Sequence, residues 1–377
     1  MKKHNIFLII LVLFFISCNI EIGDDPENWE EAESLHEIYK SEFLIGNIIR
    51  NTNCFNNKTR SGILKHHFNT VTAENDMKPS LMAPSSKPTT NTWNYRFSSA
   101  DNIVNAANNA GMKVVGHTLI WHSQTPAWLT DGNKETVLAN LEKYVTEVVT
   151  HFKGRLIEWD VVNEAFRDGL QNVTASTDWK TCLRVDDSGW NKTIGPEYIE
   201  KAFLAARLAD PDVKLLYNDY NLNNANKAQA VFNMVKDINT RHPNVNGRQL
   251  IDGIGMQSHH HINTSPQTVE NSINLFASLN VDIAITELDI IAAGRLLNAQ
   301  NPPPWNEAAA LRQAQQYAAM LNIFKKNSSK ISRVTFWGFD DGTHWRTLDN
   351  SGAYASLMDK DYNLKPAFYA VLNPNRY

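Results

Sequence analysis

Apolar positions along this chain fall into two alternating rhythms. Eight short runs are dense in Val, Ile, Leu and other apolar residues: Phe43–Ile49, Phe68–Ala73, Lys113–His117, Leu156–Val162, Lys214–Asn218, Ile251–Met256, Val281–Thr286 and Arg333–Gly338. Short apolar runs bounded by polar residues read as strands buried on both faces. Between them the period lengthens to that of a helix. In Val137–Phe152 the apolar residues Val137, Leu138, Leu141, Tyr144, Val145, Val148, Val149 and Phe152 recur at helical spacing, and Gly154 stands beyond as a stop. Ser99–Ala110 carries Ile103, Val104 and Ala107 on one face and ends at Gly111. Pro196 opens a helix over Glu197–Leu208, Pro211 follows it, and Asn306–Phe324 is a further amphipathic run. Eight strands alternating with helices predict an α/β fold with a parallel sheet, and eight such strands close into a single (β/α)8 TIM barrel.

The N-terminus departs from this rhythm. Lys2 and Lys3 precede an unbroken apolar run, Ile6–Ile16, that is too short to span a bilayer as a helix, which needs about 20 residues. Residues 1–17 therefore read as a signal peptide. The sequence Phe15-Ile16-Ser17-Cys18 resembles the cleavage box of bacterial lipoproteins, although that box prefers Leu where Phe15 stands. The resemblance implies that Cys18 is lipidated and that the protein is exported and held at a bacterial membrane by a lipid anchor alone; if Cys18 is not lipidated, the protein is secreted. Residues 18–33 are acidic and poor in apolar side chains, which reads as a flexible tether before a catalytic domain at 34–377.

Composition narrows the picture only a little. The 377 residues carry a net charge of −4, which argues against a nucleic-acid partner. Ten Trp are present. Their indole faces suit sugar rings, although Trp is as readily core.

The chemistry sits where apolar runs end. Val281–Ile290 delivers Glu287 at its tip, and Leu156–Phe166 delivers Glu164 in the same way. Barrel active sites lie at the C-terminal ends of the strands. Either glutamate alone reads as a solvated strand end or a salt-bridge partner. As a pair they are what a retaining glycosidase needs, one protonated and one ionised, about 5–5.5 Å apart. Asp289 falls on the same strand face as Glu287 by the period of two. His259–His261 invites a metal reading, but three consecutive residues do not point one way in a strand, so no metal site is expected.

Trp159–Ala165 (W-D-V-V-N-E-A) and Ile285–Asp289 (I-T-E-L-D) resemble the acid/base and nucleophile signatures of glycoside hydrolase family 10, the endo-β-1,4-xylanases. Thr72–Pro79, Gly116–Gln124, Leu216–Asn221, Ile254–His259 and Phe336–Asp341 match further segments in the family's order. The resemblance covers about residues 34–375. It implies Glu164 as general acid/base with a raised pKa and Glu287 as nucleophile, with Asn163, His259 and Asp289 in support. Glu74, Asn75, Lys78, His117, Trp121 and Gln124 match positions that bind the glycone sugars. Trp337 and Trp345 match an indole floor and wall, and Tyr220 and Gln257 match positions near the scissile bond. Gln124 and Trp345 crowd the place of a C6 hydroxymethyl group, which favours xylose over glucose. The implied partners are xylan and xylo-oligosaccharides, with no cofactor, and the chain is expected to act as a monomer. Val115 stands where the family usually has Arg, the loop before Trp345 is unusual, and residues 169–190 match no family motif. Cys54 and Cys182 fall after the first and fourth predicted strands, in separate sectors of a barrel. That placement argues against a disulfide between them.

Overall fold

A computed structural model describes residues 26–346 and 352–377. The expected signal peptide and Cys18 lie outside the described residues. Among the described residues nine strands form one sheet system: β1 (Leu44–Ile49), β2 (Thr70–Ala73), β3 (Lys113–Trp121), β4 (Glu158–Asn163), β5 (Lys214–Asp219), β6 (Gly253–Met256), β7 (His259–His261), β8 (Asp282–Ile291) and β9 (Ile331–Phe336). β1 to β6 pair in chain order, β6 pairs with β8, β8 with β9, and β9 returns to β1. All of these pairings are parallel. This is a closed eight-stranded (β/α)8 barrel with helices between its strands, as the alternation predicts.

β7 is the element the apolar pattern did not show. Its three histidines pair beside the far end of β8, with His259 opposite Asp289. A strand of three polar residues carries no hydrophobic signal. The three rings also part company: His260 is buried, His261 is exposed, and His259 faces the cleft.

The helices begin where the sequence offers caps. The Asn133 side chain accepts the Thr136 N–H at the start of Lys134–Phe152, and Asn306 accepts that of Ala309 at the start of Glu307–Lys326. Lys134–Phe152 stops just before Gly154, whose φ of 76° belongs to the left-handed region.

The barrel interior holds a buried charge pair. Arg333 on β9 reaches across to Glu158 on β4, donating Nε–H to Oε1 at 2.9 Å. Val115 lies in register beside Glu158 and is buried.

The tether expected to run to Glu33 is, from Pro26 onward, docked on the barrel. Trp29 packs over Gly62, where an added Cβ would meet its ring at 2.5 Å. His66 and His67 contact the Ala32 and Trp29 carbonyls at 2.7 and 3.1 Å, and Tyr369 donates to the Pro26 carbonyl at 3.0 Å. A single Trp among acidic residues was the signal for this contact. Cys54 and Cys182 are both buried free thiols.

Candidate active site

Backbone hydrogen bonds lace the rim just beyond the strands. Glu164 N–H donates to the Asn218 carbonyl at 2.9 Å, Gln257 N–H to Asp219 at 3.0 Å, Glu287 N–H to Gln257 at 2.9 Å, and Trp337 N–H to Leu288 at 3.0 Å. Each residue that carries chemistry is therefore fixed by the neighbouring strand. The rim surrounds a cleft of about 740 Å³. Its walls include Glu74, Asn75, Lys78, His117, Trp121, Gln124, Asn163, Glu164, Tyr220, Gln257, His259, Glu287, Trp337 and Trp345. Asp289 is the one predicted site residue absent from the lining. It is 1% exposed and lies behind His259.

Glu287 sits in a cage of donors. Asn218 Nδ2–H donates to its Oε1 at 2.8 Å, and His259 Nε2 lies 3.1 Å from its Oε2. The other nitrogen of His259 is 2.9 Å from Asp289 Oδ2. Both ring nitrogens face carboxylate oxygens, so both must carry a proton, and the ring is a cation. Burial alone would push His259 down, but Asp289 and Glu287 outweigh it and raise its pKa to about 9. Burial likewise pushes Glu287 up. The His259 hydrogen bond, the His117 and His259 rings and the Asn218 amide reverse this and hold its carboxyl below the ordinary range. Asp289 is held well below its usual range, against its burial, by His259 and Arg346. It also accepts the Trp345 indole N–H at 3.1 Å, so the group that keeps His259 charged also fixes one wall of the cleft.

These shifts predict a pH signature. A His pKa raised from 6.5 to about 9 gives stability that is full below pH 6.5 and lost as pH rises through 9. The stability gap between wild type and His259→Asn, from denaturant melts, should shrink by a few kcal/mol between pH 6 and pH 10. A gap unchanged over that range would show that the ring is not a cation.

Glu164 is built differently. It occupies a left-handed backbone, φ 57°, which a glutamate adopts only when the surroundings enforce it. Ala165 N–H donates to the Tyr217 hydroxyl at 3.0 Å, and Arg184 Nε–H donates to the Glu164 carbonyl at 3.0 Å. The carboxyl accepts one N–H per oxygen, from Gln257 Nε2 and Trp121 Nε1, each at 2.9 Å. Amides join the two glutamates. Asn163 Oδ1 accepts from Gln257 at 3.1 Å and from Asn218 at 3.0 Å, and these two amides hold Glu164 and Glu287 respectively. Gly255 makes room for this chain, since a Cβ there would meet Asn218 Oδ1 at 2.4 Å.

The remaining predicted residues form the cleft's two sides. Arg50 clamps Glu74 through both carboxylate oxygens. Lys78 Nζ donates to Asn75 Oδ1 at 3.0 Å and lies 4.9 Å from the Trp121 ring centroid. Burial lowers the Lys78 pKa, against the pull of Glu287, Glu74 and Glu164. His117 is oriented by Asp160 at 2.9 Å and packs edge-on against Trp337. On the opposite side, Tyr220 donates to Asp168 and accepts from Arg184.

Sequence reasoning missed Asn218, His122, Arg184, Asn221 and Arg346. Asn218 was findable as an amide closing an apolar strand, in register with Asn163. Arg184 lay in the stretch without a motif. The chain there returns by pairing Phe166 with Leu183, which brings Arg184 back beneath Glu164.

The family model for glycosyl hydrolase family 10 matches residues 34–374. The chain belongs to this family. It is 35% identical over 379 residues to a beta-1,4-xylanase of Dictyoglomus thermophilum, covering 99% of both chains. It is 37% identical over 370 residues to endo-1,4-beta-xylanase A of Thermotoga maritima, covering 95% of this chain but only 32% of that longer protein. Among solved structures it resembles a family 10 xylanase with a bacterial Ig-like domain from termite gut, with a TM-score of 0.83 and 36% identity over 94% of this chain and 80% of that one.

Proposed function

We propose that this glycoside hydrolase is an endo-β-1,4-xylanase that cleaves internal bonds of xylan with retention, by double displacement. The observation that carries the reading is the pair of unlike carboxyls in one cleft. Glu287 is kept anionic by His259 and Asn218, while each Glu164 oxygen accepts one neutral N–H, with His122 Nδ1 3.9 Å from its Oε2. In the first step a Glu287 oxygen attacks the anomeric carbon as the glycosidic bond breaks, and Glu164 gives its proton to the leaving oxygen. A glycosyl ester on Glu287 results. In the second step Glu164, now a carboxylate, takes a proton from water, whose oxygen displaces Glu287. One water is consumed and both carboxyls return to their starting states. By the family resemblance, Asn163, beside the acid/base, bonds the sugar 2-hydroxyl, a contact that strengthens in the transition state.

Xylan as substrate is supported by the named activities of the relatives and by the cleft itself. Gln124 and Trp345 line the cleft, and the family resemblance sets them against the C6 group of a hexose, where a clash discriminates more firmly than an added apolar contact. Aryl β-xylobioside should be hydrolysed with a kcat/KM at least about 10-fold above aryl β-cellobioside. Faster turnover of the glucose-based substrate would replace this reading with a β-glucanase. Anchoring through Cys18 belongs to the same proposal, and Cys18→Ala should move the protein from membrane to soluble fraction. Retention of that variant in the membrane would refute the anchor.

A further inference from the structure

The mechanism above makes no use of Lys227, yet its ammonium is buried against Tyr220, a residue of the cleft wall. Lys227 lies in the first turn of the helix Ala225–Arg241 and is 2% exposed. Its Nζ is 2.9 Å from Asp219 Oδ1, 3.4 Å from Asp168 Oδ1 and 3.7 Å from the centroid of the Tyr220 ring. A buried ammonium is costly unless it is paired, and here it is paired twice, with an aromatic face as a third contact.

Both partners lead to the site. Asp219 is buried, and its Oδ2 accepts the Tyr217 hydroxyl proton. The Tyr217 oxygen in turn accepts the Ala165 N–H at 3.0 Å, immediately after Glu164 with its left-handed φ of 57°. The direction of this chain depends on charge. An ionised Asp219 can only accept, so Tyr217 must donate to it and keeps a lone pair for Ala165. Burial pushes Asp219 toward its protonated form, and Lys227 is the main group opposing that. A protonated Asp219 could donate to Tyr217, whose own proton would then be free to turn toward the Ala165 N–H. The second partner, Asp168, accepts the Tyr220 hydroxyl at the cleft wall.

We propose that Lys227 is a positioning residue for acid catalysis. By holding Asp219 ionised it fixes the Tyr217–Ala165 contact that sets the Glu164 elbow, and by the same charge it steadies the Tyr220 wall. The inference rests on Glu164 being the acid/base.

The test is a leaving-group comparison in Lys227→Met, using phenyl and 2,4-dinitrophenyl β-xylobiosides. Phenol needs a proton to depart, whereas dinitrophenolate does not. The variant should lose about 100-fold in kcat/KM on the phenyl substrate and less than about 3-fold on the dinitrophenyl one. Equal losses on both substrates, or no loss on either, would overturn the proposal. The double variant Asp219→Asn, Lys227→Met removes both charges but keeps an oxygen facing Tyr217. It should bring phenyl turnover to within about 10-fold of wild type. This reads the route even if the single variant does not fold, and a double variant as slow as about 100-fold below wild type on phenyl overturns it. Glu164→Ala serves as reference. If that variant shows no leaving-group split, the acid/base reading has failed, and Lys227 is not the cause.

Discussion

Glu287→Gln should lose at least about 10⁴-fold in kcat/KM on every substrate, whatever its leaving group. The attack on the anomeric carbon precedes every other event, so a better leaving group offers no escape. The substitution is close to isosteric, but its consequences spread. Glu287 is the target of the Asn218 amide and of His259, and an amide in its place must turn N–H groups toward at least one of these donors. His259 would keep only Asp289 as an anionic partner, and its pKa should fall from about 9. The fold should survive, because the change removes a buried charge rather than exposing one. Melting curves and kcat/KM on phenyl and dinitrophenyl β-xylobiosides check this. A loss below about 100-fold on either substrate, in a folded variant, would remove Glu287 from the nucleophile's role.

The second large effect depends on the leaving group. Glu164→Ala should cost about 10²- to 10⁴-fold on xylan and on phenyl β-xylobioside, the range of general acid–base catalysis. On the dinitrophenyl substrate the first step needs no proton and should stay fast. The glycosyl-enzyme should then accumulate, because its hydrolysis lacks a base. Added azide needs no base, and it enters the space vacated by the carboxyl. Turnover should recover and the product should be the β-azide. Azide added to Glu287→Ala should instead give the α-azide, from the opposite face. Rescue of Glu164→Ala to an α product, or no rescue with azide in excess, would contradict the assigned roles.

Much of this site was legible because barrel geometry converts position in the chain into position in space. A glutamate that ends an apolar run must appear at the C-terminal rim, and the rims of all eight strands meet. Glu164 and Glu287 stood out as strand-end carboxylates from their context, while their roles and the other cleft residues came from the resemblance to glycoside hydrolase family 10. The helices were legible for a similar reason: the face of Val137–Phe152 and the stop at Gly154 are local signals, and the observed helix ends at Phe152.

What escaped was set by contacts rather than by period. β7 is three histidines whose pairing with β8 exists to bring His259 beside Asp289 and Glu287. Nothing apolar marks it. Arg184 is placed by the fold-back of Phe166 on Leu183, inside a stretch with polar composition. Residues 26–33 read as tether because acids dominate them, yet Trp29 finds the bare surface over Gly62. The charge state of the site was likewise hidden. That His259 is a cation follows only from seeing a carboxylate at each ring nitrogen, which no spacing in the sequence encodes.

The most direct measurement is to trap the intermediate. Wild type is treated with 2,4-dinitrophenyl 2-deoxy-2-fluoro-β-xylobioside, which slows both steps but has a leaving group good enough for the first. Intact mass followed by peptide mapping then locates the adduct. The account predicts one fluoroxylobiosyl group per chain, esterified to Glu287, in wild type and also in Glu164→Ala. An adduct on another residue would contradict the assignment of Glu287. Turnover of the unmodified substrate with inversion at the anomeric carbon would contradict double displacement itself.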